Sequence, residues 1–270
     1  MKNFLLKSNL VFFLITLGCS SEPDSNESDI TPTSKLNARE IGKITVSDLQ
    51  KDPKKIGQIH NEVMDNVYNE LLLIKEGKLK PSEKTLEEFV NIHVAKSLET
   101  KIDFEGQEAA KFINLGIESP NDDQRLVDFY KELEDLTNKN LITNEFNIEA
   151  NRILGKYKNY RKDNLYLQSL AAIHSIAINS NEYWAANADK WEDLAGAVAL
   201  RRPPGSDGRI VRADIYGALR GGLAGAVGGA LAGGIGALPG GLLGAVSSAC
   251  SSSAITGVRE HLGYSSWIPW

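Results

Sequence analysis

The side chains that could do chemistry in this chain are few and widely spaced. Its 270 residues include four histidines and two cysteines. Three of the histidines, His60, His93 and His174, fall among apolar residues at helical spacing, where a histidine is usually a core residue with one hydrogen bond. The sequence contains no His-Glu-x-x-His, Cys pair, Gly-x-Ser-x-Gly or Gly-Lys-Ser pattern, so the spacings of a zinc site, a nucleophile elbow and a phosphate loop are missing. We therefore predict a protein that is not an enzyme and that uses no metal and no cofactor.

The sequence before Cys19 indicates a function for this cysteine. Residues 10–17 are uncharged and mostly apolar, and two lysines precede them. This pattern is typical of a secretory signal and is too short to span a bilayer, which needs about 20 apolar residues. The segment ends at Gly18 and Cys19 and resembles the lipobox of bacterial lipoproteins, with Thr16 where leucine is usual. The resemblance implies a signal peptide over 1–18 and a Cys19 that carries fatty-acyl chains such as palmitate.

The segment that follows, residues 19–35, is predicted to be an extended tether. It is rich in serine and has four acids and no base up to Asp29, a composition that keeps a chain solvated. It is similar to the acidic tethers of some surface-exposed lipoproteins of the Bacteroidota, although a bare spacer would have the same composition. Loss of Lys2 and Lys7 with the signal peptide leaves 28 basic and 35 acidic residues, a net charge of −7. This balance argues against a nucleic-acid partner.

Residues 36–200 have the pattern of a helical bundle, with apolar side chains every three or four positions. The first clear helix is predicted to have Asp52 as its cap and to end at Gly77, and the second to begin with a capping box at Thr85 and Glu88. Further helices are predicted over 121–137, 144–157 and 163–178. No alternating strand pattern competes with them. The predicted fold class is mainly α, a helical bundle followed by a Gly/Ala-rich helical hairpin.

Two tryptophans belong to the carboxyl-terminal part of the bundle. Trp184 and Trp191 are seven residues apart and therefore share one face of a helix. The apolar stripe of that face continues through Ala188 and Ala195. We expect both rings to lie in the bundle core and not among lipid headgroups.

Half of the glycines, 12 of 24, lie between Gly217 and Gly244. From Gly217 a small residue recurs every four positions, beside a parallel ridge of branched apolar residues. A four-residue step keeps these glycines near one helix face, so that a second backbone can approach closely. The predicted helix-packing residues are Gly217, Gly221, Gly225, Gly229, Gly233, Gly236, Gly240 and Gly244.

This glycine-rich stretch has the length of a membrane hairpin. No charged residue occurs in the 38 positions from 221 to 258, and Pro239 divides them near the middle. Two arms of about 18 residues would each be about 27 Å long, close to the thickness of the hydrocarbon core. We predict a hinge over 201–212, a hairpin over 213–262 and an aromatic tail over 263–270. Charged and aromatic residues before and after the arms, among them Arg212, Asp214, Arg259, Trp267 and Trp270, would then lie at one membrane interface.

The stretch resembles the glycine-zipper segments of bacterial envelope proteins, including small outer-membrane lipoproteins and membrane-active bacteriocins and toxins. The resemblance covers about 45 of the 270 residues. It implies a mode of helix packing and no particular activity. A Gly/Ala-rich hairpin that packs on the protein's own bundle is the alternative that the sequence leaves open.

These observations lead to three hypotheses about function. The first is a non-enzymatic cell-envelope lipoprotein, in the outer membrane or exposed at the cell surface, whose hairpin inserts into or oligomerises in a membrane in a structural or toxin-like role. Its partners would be membrane lipid and a second copy of the chain through the glycine zipper. The second is a surface or periplasmic binding module with the hairpin packed on its own bundle. The third, a hydrolase, would require His60, His93 or His174 to be exposed beside a carboxylate and a hydroxyl in a cleft.

Overall fold

The computed structural model describes residues 43–104, 106–113, 124–139, 141–160, 162–195, 206–231, 237–263 and 269, without the side chains at 206 and 227–231. The predicted signal peptide, Cys19 and the tether lie outside the described residues. So do Gly233, Gly236 and most of the aromatic tail.

The described residues form a mainly α fold, as expected from the sequence. The helices are α1 (Val46–Lys51), α2 (Lys55–Lys75), α3 (Leu86–Lys101), α4 (Gln124–Thr137), α5 (Thr143–Tyr157), α6 (Asn164–Ala195), α7 (Ser206–Leu231) and α8 (Ala237–Gly257). A 3-10 turn at Ala109–Phe112 precedes α4, and a π-helical turn at Val258–Leu262 continues α8. Two short strands, β1 (Ile44–Thr45) and β2 (Ile102–Asp103), pair in parallel.

Helix α8 is the central helix of the bundle. It contacts α1, α2, α3, α6 and α7, and 15 of its 21 residues are buried. Pro239 is tolerated because it lies in the first turn, where a backbone N–H has no partner within the helix. The second arm of the predicted hairpin is therefore core of the protein in this structure.

The helix starts agree in part with the sequence analysis. Thr85 is the N-cap of α3, since its hydroxyl accepts the backbone N–H of Glu88 at 3.1 Å. Asp52 was wrongly assigned as the cap of α2. It ends the short helix α1, where its backbone N–H donates to Asp48 O at 2.9 Å, and α2 begins at Lys55 without a side-chain cap. The capping box between Thr45 and Asp48, which starts α1, explains the difference because it places a separate helix before Asp52.

Two boundaries differ from the predicted ones. Helix α6 continues to Ala195, although the spacing predicted an end near residue 178. Asn179 and Ser180 favour helix ends in general, but here Asn179 donates to Ser175 O within the helix at 2.8 Å and Ser180 donates to a side chain of α7. Helix α7 begins at Ser206, within the predicted hinge.

The glycines of α7 and α8 bring the two backbones together in an antiparallel pair, which we call the glycine seam. A methyl group on Gly217 would lie 2.6 Å from the carbonyl oxygen of Ser248. Methyl groups on Gly221 and Gly225 would overlap the carbonyl oxygens of Gly244 and Gly240. Five of the predicted helix-packing glycines therefore lie in a seam within one chain. The surroundings of Gly229 are outside the described residues.

The close contact in the glycine seam predicts that one added methyl group strongly lowers the stability of the fold. We expect Gly221→Ala to lower the free energy of unfolding by about 2 kcal/mol or more, because the seam is backbone against backbone and cannot relax locally. Urea denaturation followed by circular dichroism measures the effect. The matched control is Gly155→Ala in α5, where nothing lies within 4 Å of the added methyl and helix propensity predicts a gain of about 0.5 kcal/mol. A Gly221→Ala protein as stable as the control would contradict the seam.

Candidate functional site

Within the described residues, one helix is long and apolar enough to cross a membrane. It is the segment Ala237–Leu262, with a mean hydropathy of 1.2 over its best window, 78% of which is buried inside the protein. The core helix of a soluble protein meets the same criteria of length and composition. In this structure the hairpin packs on the protein's own bundle.

The serines of α8 are matched by polar groups of the surrounding helices. Ser248 donates to the carbonyl oxygen of Phe112 at 3.3 Å, and Ser251 donates to the side chain of Asn91 on α3. Ser247 is buried with no hydrogen-bond partner for its hydroxyl. The serines make the second arm less suited to span a membrane, and most of their hydroxyl groups have a hydrogen-bond partner within the bundle.

The charges that flank the hairpin pair with protein carboxylates. The sequence pattern predicts a membrane interface for two of them, Arg212 and Arg259. In the structure the flanking charges join α7 and the π-helical turn to each other and to α3 and α4. The pairs are Arg209 with Glu260, Arg212 with Glu134 and Arg259 with Glu87. All of these side chains keep some exposure, so each pair contributes little to stability.

The two tryptophans lie in the core, which confirms the prediction. Trp184 and Trp191 are both 0% exposed, with ring centroids 5.1 Å apart. The indole N–H of Trp184 donates to Ser253 Oγ on α8 at 3.3 Å. On its other side the Trp184 ring stacks on His261, with centroids 5.3 Å apart. These rings fix α6 against α8.

A buried polar cluster joins three helices beside the glycine seam. We call it the His60–Asp214–Ser180 cluster. Asp214 of α7 lies between His60 of α2, whose Nε2 is 3.5 Å from Asp214 Oδ2, and Ser180 of α6, whose hydroxyl donates to the same oxygen. All three residues are 0% exposed. The other ring nitrogen of His60 lies 3.0 Å from Asn61 Oδ1.

The electrostatics of the cluster favour an ion pair. Burial alone would lower the pKa of His60, but the negative charge of Asp214 at 3.5 Å, together with the hydrogen bond to Asn61, raises it above 6.5. With both ring nitrogens protonated, Nδ1–H donates to Asn61 and Nε2–H points to Asp214. Asp214 Oδ1 has no hydrogen-bond partner. The cluster is therefore a buried charge pair that depends on three helices being in place.

This cluster has the residue types of a hydrolytic triad in a different order. In a triad the histidine lies between hydroxyl and carboxylate, so that it can remove the hydroxyl proton. Here the carboxylate lies in the middle, and the three groups are sealed from solvent. His60 thus lies beside a carboxylate and a hydroxyl but not in a cleft, which was the condition for a hydrolase.

Asp214, for which the sequence pattern predicts a membrane interface, is fully buried in this structure. The sequence around Asp214 contains a signal that this acid is buried. Ile210, Val211, Ile215 and Ala218 surround Asp214 at helical spacing, and all four are buried. A lone acid in the middle of an apolar stripe indicates a buried, paired carboxylate.

The other two histidines do not join this cluster. His93 packs against the ring of Phe89 and lies 3.7 Å from a carboxylate oxygen of Glu70. His174 of α6 is 8% exposed, and its Nε2 has no hydrogen-bond partner. Burial, with the positive charge of Lys54, lowers the pKa of His174 from 6.5 to about 4. His174 is therefore a neutral core residue at pH 7.

The cavity found among the described residues leaves little room for a small ligand. A cavity between α4, α6, α7 and α8 has a volume of about 10 Å³, enough for one water molecule, and its lining is aliphatic except for Ser169. Ligand pockets are usually some hundreds of Å³. In the part of the chain that the structure describes, no three His, Cys, Asp or Glu side chains come together in a way that could hold a metal ion.

Comparison with protein-family models, with curated proteins and with solved structures gave no match.

His174 predicts a loss of stability in acid. A histidine with a lowered pKa in the folded state binds its proton more readily in the unfolded state, so stability falls as the pH drops from about 6.5 towards 4. We expect this residue alone to lower the free energy of unfolding by about 2 kcal/mol between pH 7 and pH 5. Urea denaturation at both pH values, for wild type and His174→Leu, isolates the contribution because the other titrating groups are common to both. Equal pH dependence in the two proteins would refute it.

Proposed function

We propose that this protein is a non-enzymatic lipoprotein of the bacterial cell envelope that keeps a membrane-seeking hairpin, α7 and α8, in the core of its own bundle and inserts that hairpin into a membrane. The observation that carries the proposal is the nature of the contact between the two helices. It consists of small residues with backbone against backbone at Gly221, Gly225 and Gly244. Such contacts associate helices in lipid, where no hydrophobic effect acts between them.

The seam allows the hairpin to move as a unit. Its contacts join α7 to α8 and not to the rest of the bundle, so they persist when the pair leaves. What the hairpin loses on leaving is the packing of α7 against α4 and α6 and of α8 against α2, α3 and α6. Burial of α8 in hydrocarbon offsets this loss, because the segment has no charge from 237 to 258. A lipid on Cys19 would hold the bundle near the membrane and raise the local concentration of hairpin there.

A second candidate function has an observation of its own in its favour. The partners that Ser248, Ser251 and Ser253 find in the bundle, and the ion pairs at the hairpin base, are what a permanent core requires. In that case the protein is a lipid-tethered binding module, and α8 never leaves. The two candidates differ in one measurable property, the environment of α8 when vesicles are present.

We expect a probe at the start of α8 to enter the bilayer. The experiment uses the full chain with Cys19→Ser and Cys250→Ser, a single new cysteine by Ala237→Cys, and an environment-sensitive nitrobenzoxadiazole label. With vesicles of phosphatidylethanolamine and phosphatidylglycerol, the emission should shift to the blue and the label should resist quenching by aqueous dithionite. Incubation at pH 7 and at pH 5 compares insertion with and without the loss of stability that His174 predicts in acid.

The matched control carries the same label at Ile148→Cys in α5, which is 58% exposed in the bundle. This site should stay in water and be quenched. Insertion of α8 is refuted if the two labels respond alike, or if the protein does not float with vesicles, and the binding module is then favoured.

The proposed lipid on Cys19 predicts that a variant without this cysteine is found in a different cell fraction. Cys19→Ala removes the thioether site and should move the protein from the membrane to the soluble fraction, because the lipid is the anchor proposed for the uninserted bundle. Cell fractionation with mass spectrometry of the amino-terminal peptide checks this. Protease treatment of whole cells that carry the unchanged protein then reports which side of the outer membrane it occupies. A Cys19→Ala protein that remains fully with the membrane, with the bundle shown to be closed, would contradict the lipid anchor.

A further inference from the structure

Asp214 is the one Asp, Glu, Lys or Arg side chain that is fully buried among the described residues. It lies on α7, one turn before Gly217, where the glycine seam begins. Two of its contacts are with helices outside the hairpin, His60 of α2 and Ser180 of α6. The base of the hairpin is thus tied to the bundle by a charge that has no access to water.

A buried charge is tolerated only while its partners are in place. His60 offsets the charge of Asp214 from 3.5 Å, and Asn61 in turn accepts from the opposite nitrogen of the His60 ring. If α7 shifts away from α2 while the site is still dry, both charges lose their partner. The pair therefore opposes the first small displacement of the hairpin more than the aliphatic contacts nearby, which weaken gradually.

The other polar links between hairpin and bundle are neutral or partly exposed. The carboxylates that pair with Arg212 and His261, those of Glu134 and Glu192, are 30% and 26% exposed. Trp184 with Ser253 is a hydrogen bond between neutral groups, and so is Ser251 with Asn91. The pair of Arg259 and Glu87 is half exposed, so water replaces either partner at little cost. In the part of the chain that the structure describes, only the ion pair of His60 and Asp214 has both side chains fully buried.

We propose that the His60–Asp214–Ser180 cluster is a latch that keeps the α7–α8 hairpin in the bundle, and that separation of His60 from Asp214 is the step that releases it. Its biological use, the control of membrane insertion, rests on the proposed function. The latch itself is a property of the closed bundle and can be measured without a membrane.

The chain contains a native reporter for the opening. Cys250 of α8 is a free thiol, 0% exposed, close enough to Asp214 to feel its charge. In the full chain with Cys19→Ser it is the single cysteine, and a maleimide reaches it only when the hairpin moves. We expect Asp214→Asn and His60→Gln each to raise the rate of labelling about tenfold or more in the absence of denaturant.

Two comparisons separate the latch from other effects. Removal of the Asp214 charge also changes the chemistry of the nearby thiol, because the thiolate is the reactive form. His60→Gln keeps that charge, so faster labelling in both variants cannot come from the thiol chemistry. The double variant removes both charges and should label more slowly than either single variant, since no unpaired charge remains.

A general loss of stability is controlled by Phe146→Leu. Phe146 is buried in α5, whose main contacts are with α4 and α6. Urea denaturation gives the global stability of every variant, and labelling is compared at equal global stability. The latch is overturned if Phe146→Leu accelerates labelling as much as Asp214→Asn, or if the latch variants label at the wild-type rate.

The vesicle experiment then distinguishes this proposal from the proposed function. Latch variants that label rapidly and also insert faster than wild type support both proposals. Rapid labelling with no insertion in any variant supports the latch and refutes the membrane role. Wild-type labelling rates in the latch variants refute the latch, whether or not the hairpin inserts.

Discussion

The close approach of α7 and α8 is the constraint on which the rest of the structure depends. Carbonyl oxygens of Gly240 and Gly244 occupy the space where side chains of Gly225 and Gly221 would begin. Two helices that meet in this way form a thin pair, so other helices can surround α8 on its remaining sides. The bundle uses the same device between α2 and α6, where a methyl on Gly57 would overlap Ser175 O, and the backbone N–H of Gly57 donates to Ser175 Oγ at 3.2 Å. Large rings fill the opposite side, with Trp184 against Gly257.

The same glycines make the hairpin dependent on its surroundings. Each glycine inside a helix costs about 1 kcal/mol relative to alanine, and isolated helices of this length are marginal in water. The helices α7 and α8 therefore persist only where burial stabilises them. The bundle supplies that burial with the apolar faces of α2, α3 and α6. A bilayer would supply it through hydrocarbon and through the cost of an unpaired backbone group in lipid. Both environments stabilise the same backbone conformation.

Because a bundle core and a bilayer stabilise the same helices, the sequence predicts part of the structure and not the rest. The stripe of α2, the cap at Thr85 and the core position of Trp184 and Trp191 follow from helical spacing and local hydrogen bonding, and the structure confirms them. The environment of α8 does not follow, because a run without charges satisfies a protein core and a lipid bilayer alike. Asp214 was misplaced for a related reason. An acid near the end of an apolar run is an interfacial residue in a membrane hairpin and a paired core residue in a bundle, and only the tertiary position of His60 decides between them.

The seam also restricts how the glycine zipper can join two copies of the chain. In the closed bundle the faces of Gly217, Gly221 and Gly225 are fully used by α8 of the same molecule. A second copy can therefore bind this face only if its own α8 replaces the resident one, or if the seam opens. Either route requires α7 or α8 to leave the helices on which it packs in the bundle. The ridge of branched residues beside the glycines, represented by Leu219 and Leu223, faces α4 and α6 in the bundle. That ridge becomes accessible if the hairpin leaves with its seam intact.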